Sequence, residues 1–130
     1  MERANKEWED EQALRVKSNT VILNAESWEG NFLKARDAYF VNFYEANCSA
    51  CIDLNREWEG VSTELKGRAR VAKLNISEDG NEVLEESIKL ENYPSVRFYP
   101  AGNKNVDEYT EFTGLKKRFS LLEWANLKLS

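Results

Sequence analysis

Tyr39-Phe40-Val41-Asn42-Phe43-Tyr44 runs almost without a break through apolar β-formers, and the two cysteines of the chain, Cys48 and Cys51, follow directly after it. A short, nearly continuous apolar run starting at Ala38 marks a strand buried on both faces. Beyond the cysteines, Leu54, Trp58, Val61 and Leu65 recur at i, i+4, i+7 and i+11, one stripe of an α-helix. The segment Cys48-Ser49-Ala50-Cys51 therefore sits where a buried strand gives way to a helix, with Cys48 at the helix's N-terminal end. Unpaired backbone N–H groups and the positive end of the helix dipole stabilise a thiolate there. A strand, a closely spaced cysteine pair and then a helix read as a redox site.

Other uses of two thiols fit less well. Structural zinc takes four ligands as a rule, whereas this chain has two cysteines and no histidine. A zinc site would need carboxylates or a second copy of the chain. A purely structural disulfide gains stability with loop length, and this loop is nearly the shortest possible. Two unrelated buried thiols remain an alternative, since free cysteine behaves as a small apolar residue, but their place at a helix start argues against it.

A length of 130 residues suits one domain with its own core. Hydrophobic residues make up 42%, with four Trp, five Tyr and six Phe, which favours a packed globule over a disordered chain. The formal charge of −5 argues against nucleic acid as a partner. No stretch approaches the roughly 18 apolar residues of a membrane span. Met1 to Asp10 is charged throughout and lacks the apolar region of a signal peptide, which fits a cytosolic protein or a domain of a longer precursor.

Residues 1–18 are dense in charge, with Trp8 and Leu14 as anchors, and read as an N-terminal extension, a linker or a loosely docked helix. The domain proper is expected over 19–130. Thr20 to Leu23 reads as a short strand, followed by a helix N-capped by Ser27 with Trp28, Phe32 and Ala35 on one face. The long helix after the cysteines should end near Lys66-Gly67, where glycine supplies a left-handed cap. Ala69 to Ile76 is the next strand, and Asn81 to Leu90 a helix turning Val83, Leu84 and Ile88 inward. Pro94 opens the strand Ser95 to Tyr99; Pro100-Ala101-Gly102-Asn103 makes a turn to a hairpin partner over Asp107 to Phe112. A final helix from about Lys116 to Leu127 is expected to bury Phe119, Leu122 and Trp124. The order β-α-β-α-β-α-β-β-α implies a mixed sheet: a parallel portion with an antiparallel edge.

This order resembles the thioredoxin fold, an α/β architecture with a central mixed sheet flanked by helices. The wording resembles domains of the protein disulfide isomerase family. Phe40-Val41-Asn42-Phe43-Tyr44 leads into the Cys-x-x-Cys; Arg70-Val71-Ala72-Lys73-Leu74, Asn92-Tyr93-Pro94-Ser95-Val96 and Phe98-Tyr99-Pro100-Ala101-Gly102 carry the rest. The similarity spans roughly residues 19 to 128. Val-Asn-Phe-Tyr before Cys-Ser-x-Cys is also similar to thioredoxin domains of endoplasmic-reticulum J-protein disulfide reductases.

The resemblance implies a thiol–disulfide oxidoreductase with Cys48 as nucleophile and Cys51 as resolving thiol. It needs neither organic cofactor nor metal, and acts on protein substrates as a monomeric domain of a larger protein in the endoplasmic reticulum lumen or another secretory compartment. Pro94 matches the family's cis-proline opposite the cysteines, with the backbone of Tyr93 offered to an extended substrate. Departures bear on the chemistry. Asn47 stands where family oxidases carry Trp, Ser49-Ala50 replaces Gly-His, Ile52 replaces Lys, and Arg56 replaces a helix-kinking Pro. Without an imidazolium, the Cys48 thiol is expected below the ordinary value of about 8.5, but by less than in the strongest oxidants. That leans the pair toward reductase or isomerase. Asn42 occupies the position where many relatives bury a carboxylate beneath the second cysteine. An amide cannot take the resolving thiol's proton, so resolution should be slow; a buried amide satisfied by hydrogen bonds is the plainer reading. Lys116 and Arg118 lie nearest the family's arginine and read as solvated helix charges. Asn47-Cys48-Ser49 and Asn75-Ile76-Ser77 fit the N-glycosylation pattern, and Asn47 is expected to stay unmodified. The competing function is a redox-weak binding module for unfolded clients or a partner domain, favoured by the departures and opposed by the retained cysteines and Tyr93-Pro94.

Overall fold

The structure, a computed structural model, describes residues 19–130; the expected extension over 1–18 lies outside them. Five strands form one sheet in the order β1-β3-β2-β4-β5: β1 (Val21–Leu23), β2 (Tyr39–Tyr44), β3 (Arg70–Asn75), β4 (Ser95–Tyr99) and β5 (Thr110–Glu111). β3 runs parallel to both β1 and β2, while β4 is antiparallel to β2 and to β5. This is the mixed sheet expected from the element order. Helices α1 (Ala25–Ser27), α2 (Ser49–Glu64), α3 (Glu82–Ser87) and α4 (Arg118–Leu129) complete the fold.

Strand alternation sorts the core into two layers. Tyr39, Val41 and Phe43 of β2 pack with Trp28, Phe32, Leu74, Ile88 and Tyr99 on one side. Phe40 points the other way, into a cluster with Leu54, Trp58, Val61 and Leu65 of the long helix and Leu121 and Ala125 of α4. The helical stripe read from the sequence is therefore the buried face of α2. Trp58 also satisfies its indole N–H there, donating to the Ala72 carbonyl at 2.9 Å and tying α2 to β3. Gly67, with φ +84°, takes the left-handed conformation that follows the helix.

Local expectations need four corrections. Asn24, not Ser27, is the N-cap of α1; its side chain accepts from the Ser27 N–H while Ser27 Oγ accepts from the Asn24 N–H. Chain continues from α1 into a π-helical turn, Trp28–Phe32, which stacks those two rings with centroids 4.2 Å apart. Val83 is 64% exposed, because α3 turns only Leu84 and the following Ile88 inward. Phe119 is 78% exposed, and α4 buries Leu121 and Ala125 instead, with Leu122 and Trp124 partly buried. The phase follows the packing of Leu121 and Ala125 into the cluster with Leu54, Trp58, Val61 and Leu65 of α2, while the exposed Arg118 side chain lies over Gly60. Lastly, the hairpin partner expected over Asp107 to Phe112 pairs as a strand only at Thr110–Glu111.

Candidate active site

Cys48 lies just beyond the end of β2, after an exposed turn in which Asn47 has φ +60°. That turn is held by Ala46, whose N–H donates to Ser77 Oγ at 2.9 Å, and by Ile76, whose N–H donates to the Tyr44 carbonyl at 2.8 Å. Cys48 keeps an extended backbone (φ −120°, ψ 106°) and is the N-cap of α2. Its Sγ accepts from the Cys51 N–H at 3.1 Å, taking the place of the side-chain oxygen usual at such a cap. A disulfide joins Cys48 to Cys51, whose Cα atoms are 5.1 Å apart. Cys51 is 1% exposed and Cys48 half-buried, flanked by exposed Ser49, Ala50 and Ile52.

This arrangement separates the two sulfurs by access and by electrostatics. Cys48 carries the helix-terminal N–H contact that favours a thiolate, while the burial of Cys51 disfavours one. Brief iodoacetamide treatment of the reduced protein should therefore modify Cys48 first, as read by peptide mass spectrometry. Faster modification of Cys51 at neutral pH would reverse the two roles.

Asn42 is fully buried on β2. It shares its side of the strand with Phe40 and so faces α2. Its Nδ2 donates to Asn55 Oδ1 at 3.1 Å, whereas its own Oδ1 is buried without a hydrogen-bond partner among the described residues. The buried amide is thus only half satisfied.

Tyr93-Pro94 has a cis peptide bond. Ser95, the next residue, pairs in register with Phe43, so Pro94 lies at the same end of the sheet as the cysteines. The Tyr93 hydroxyl donates to Glu85 Oε2 on α3 at 2.5 Å. Burial first, and then this bond to a carboxylate, raise its pKa well above the ordinary phenol value.

Two features escaped sequence reading. Asn55 is a polar residue in a helix with nothing to distinguish it until its partner on β2 is known. Arg97 sits buried in β4 between Val96 and Phe98; its guanidinium donates to the Ile88 and Lys89 carbonyls at 2.8 and 3.1 Å, closing the C-terminal end of α3. It also pairs with Glu111 at 3.6 Å and lies 4.0 Å from the Tyr109 ring centre. The available signal was its alternation with Ser95 and Tyr99, which puts it on the side of the sheet that carries α3. Arg118, weighed as a family arginine, is exposed and packs over Gly60. No group of three or more His, Cys, Asp or Glu side chains able to hold a metal occurs among the described residues.

Comparison with known proteins matches the Thioredoxin family model over residues 19–126. The chain is 26% identical over 110 residues to a protein disulfide-isomerase A6 homolog of Drosophila melanogaster, covering 85% of this chain and 25% of that protein. It is 31% identical over 90 residues to DnaJ homolog subfamily C member 10 of Xenopus laevis, covering 68% of this chain and 11% of the other. It thus spans a quarter or less of these curated relatives. Among solved structures, full-length ERdj5 superposes with a TM-score of 0.77 at 22% identity, covering 98% of this chain and 18% of that one. Chloroplastic thioredoxin z gives 0.68 at 21% identity, covering 83% and 92%. These structural likenesses concern the fold.

Proposed function

The chain belongs to the thioredoxin family, and from that premise we propose that it is a thiol–disulfide oxidoreductase of the protein disulfide isomerase type, acting on protein substrates. One observation carries the reading: the half-buried sulfur that caps α2 is bonded to a fully buried sulfur one turn further on. In the reducing direction, Cys48 attacks a substrate disulfide as thiolate. A Cys48–substrate bond forms and the substrate's S–S bond breaks, expelling one substrate thiolate. Cys51 then loses its proton and attacks Cys48, forming the Cys48–Cys51 disulfide and releasing the second substrate thiolate. The substrate gains two electrons and the pair loses them. Tyr93 and Pro94 are assigned to the substrate groove, since the register of β4 sets them at the cysteine end of the sheet. The short span of the relatives covered supports a domain of a larger protein. Its placement in the endoplasmic reticulum lumen or another secretory compartment follows the resemblance to disulfide isomerase domains.

Insulin reduction, with Cys48→Ser as control, tests this reading. Turnover that depends on Cys48 is expected, together with a defined dithiol–disulfide equilibrium against glutathione. Absent turnover, combined with binding of unfolded clients by the Cys48→Ser protein, would favour the second reading, a binding module. The 57% exposure of Ile52 beside the cysteines speaks for that alternative, offering an apolar contact where the family carries a charge.

A further inference from the structure

One buried cation grips both ends of the segment that carries Tyr93-Pro94. Arg97 is 2% exposed, and its Nη1 and Nη2 donate to the Ile88 and Lys89 carbonyls at 2.8 and 3.1 Å. These carbonyls close α3 at the near end of the segment, where Lys89 turns the chain with φ +55°. At the far end Ser95 directly follows Pro94, and its Oγ donates to Glu111 Oε1 at 3.1 Å. That same oxygen lies 3.6 Å from Arg97 Nε. α3 in turn brings Glu85 to the Tyr93 hydroxyl. A cation this buried is unfavourable unless it is paired, and apolar replacements of buried ionic groups are often neutral for stability. An apolar side chain cannot bridge, however. The planar guanidinium reaches two successive carbonyls with its Nη atoms while its Nε edge faces a carboxylate.

We propose that Arg97 is a positioning residue that fixes residues 88–95 at both ends, and thereby sets a preference for extended peptide disulfides over small ones. This rests on the oxidoreductase reading of the cysteine pair. An extended substrate pairs with the backbone beside Pro94, so its reaction depends on where that backbone lies. A small disulfide needs only an accessible Cys48 sulfur. The exchange is the same for both: Cys48 attacks, the substrate S–S bond breaks, and Cys51 completes the protein disulfide as two substrate thiols leave. Arg97 acts on the first substrate through the segment it holds, and on the second not at all.

The test oxidises the reduced full chain with two disulfides: a linear peptide dimerised through one central cysteine, and dithionitrobenzoate. The readout is the ratio of the two second-order rate constants, peptide over small disulfide. A smaller folded fraction or a less reactive Cys48 slows both reactions alike and cancels in that ratio. Arg97→Lys keeps the charge and a long stem but loses the fork, so the ratio should fall by about tenfold. Glu111→Ala, at an exposed position of β5, leaves the carbonyl contacts and releases only Ser95. Its ratio should fall by less. An unchanged or raised ratio in Arg97→Lys would overturn the proposal. Should that variant not fold, Glu111→Ala decides alone, and a wild-type ratio there would sink the idea. Failure of the oxidoreductase reading looks different. Wild type would then not reduce insulin, although dithionitrobenzoate still modifies Cys48. Amide deuterium exchange would settle the positioning in that case: Arg97→Lys should speed uptake over residues 88–95, and wild-type exchange would mean that Arg97 does not hold the segment.

Discussion

Cys51→Ser should turn the domain from a turnover catalyst into a trap. Cys48 retains its position at the cap of α2 and its partial access to solvent, so attack on a substrate disulfide proceeds. Release then has no internal thiol to depend on. A neighbouring thiol held one helical turn away acts at an effective concentration far above that of any free thiol, as well-oriented intramolecular reactions do. Its removal should lower insulin turnover by roughly 10²-fold or more. An adduct should accumulate instead, visible on non-reducing gels and located at Cys48 by mass spectrometry, and dithiothreitol should dissolve it. Cys48→Ser should form almost no adduct, because the remaining sulfur is 1% exposed. Wild-type turnover by Cys51→Ser, or abundant adducts on Cys51 in Cys48→Ser, would show that the two cysteines have been given each other's tasks.

The parts of this fold that could be read from the sequence are those where one strong pattern admits one solution. A central strand is apolar on both faces, so Tyr39 to Tyr44 announces itself, and the stripe through Leu54, Trp58, Val61 and Leu65 spans enough turns to fix its phase. Shorter elements gave way to tertiary context. α3 spans Glu82–Ser87, too short for periodicity to choose between Val83 and Leu84. α4 offers Phe119 and Leu122 as one stripe and Leu121 and Ala125 as another. Packing against Leu54, Trp58 and Leu65 of α2 takes the second, a contact between elements that no local pattern encodes. Asn24 and Ser27 are both good capping residues; the reciprocal pair of bonds decides between them. The site divides in the same way. The cysteines and the Tyr93-Pro94 step were legible as words, and Asn42 as a departure from a family pattern. Asn55, Glu85 and Arg97 act through partners 13, 8 and 9 residues away. Their roles exist only once the elements have packed.

Asn42→Asp should give a protein that is less stable yet releases substrates faster, and both effects should follow one titration. The side chain at this position is fully buried and faces α2. A carboxyl there is held above its ordinary range by desolvation, because ionising a buried group is unfavourable and the nearby Lys73 ammonium is already shared with Glu59. Lys73, in register with Asn42 on β3 and paired with Glu59 of α2 on the same side of the sheet, moderates the shift, as does Asn55 if its amide turns to donate. In the unfolded chain the same group ionises near pH 3.9. Below that pH both states hold the proton and the substitution is nearly isosteric. As pH rises, the unfolded state loses its proton first, so stability falls. The loss continues up to the folded pKa and then levels off. A displacement of about one to two units corresponds to roughly 1–3 kcal/mol at neutral pH. Urea unfolding at pH 4 and pH 7 should therefore show a deficit, relative to wild type, that is small at the lower pH and large at the higher one. Resolution should run the opposite way. Once ionised, the carboxylate can take the Cys51 proton as general base, which the amide cannot. Single-turnover release of a Cys48-linked peptide should accelerate by about tenfold or more, with the gain appearing across the pH range in which the stability loss levels off. Equal deficits at both pH values would mean that Lys73 or water compensates the carboxylate in full. An unchanged release rate in a folded variant would mean that another group already moves the Cys51 proton, and the amide of Asn42 would then impose no kinetic handicap.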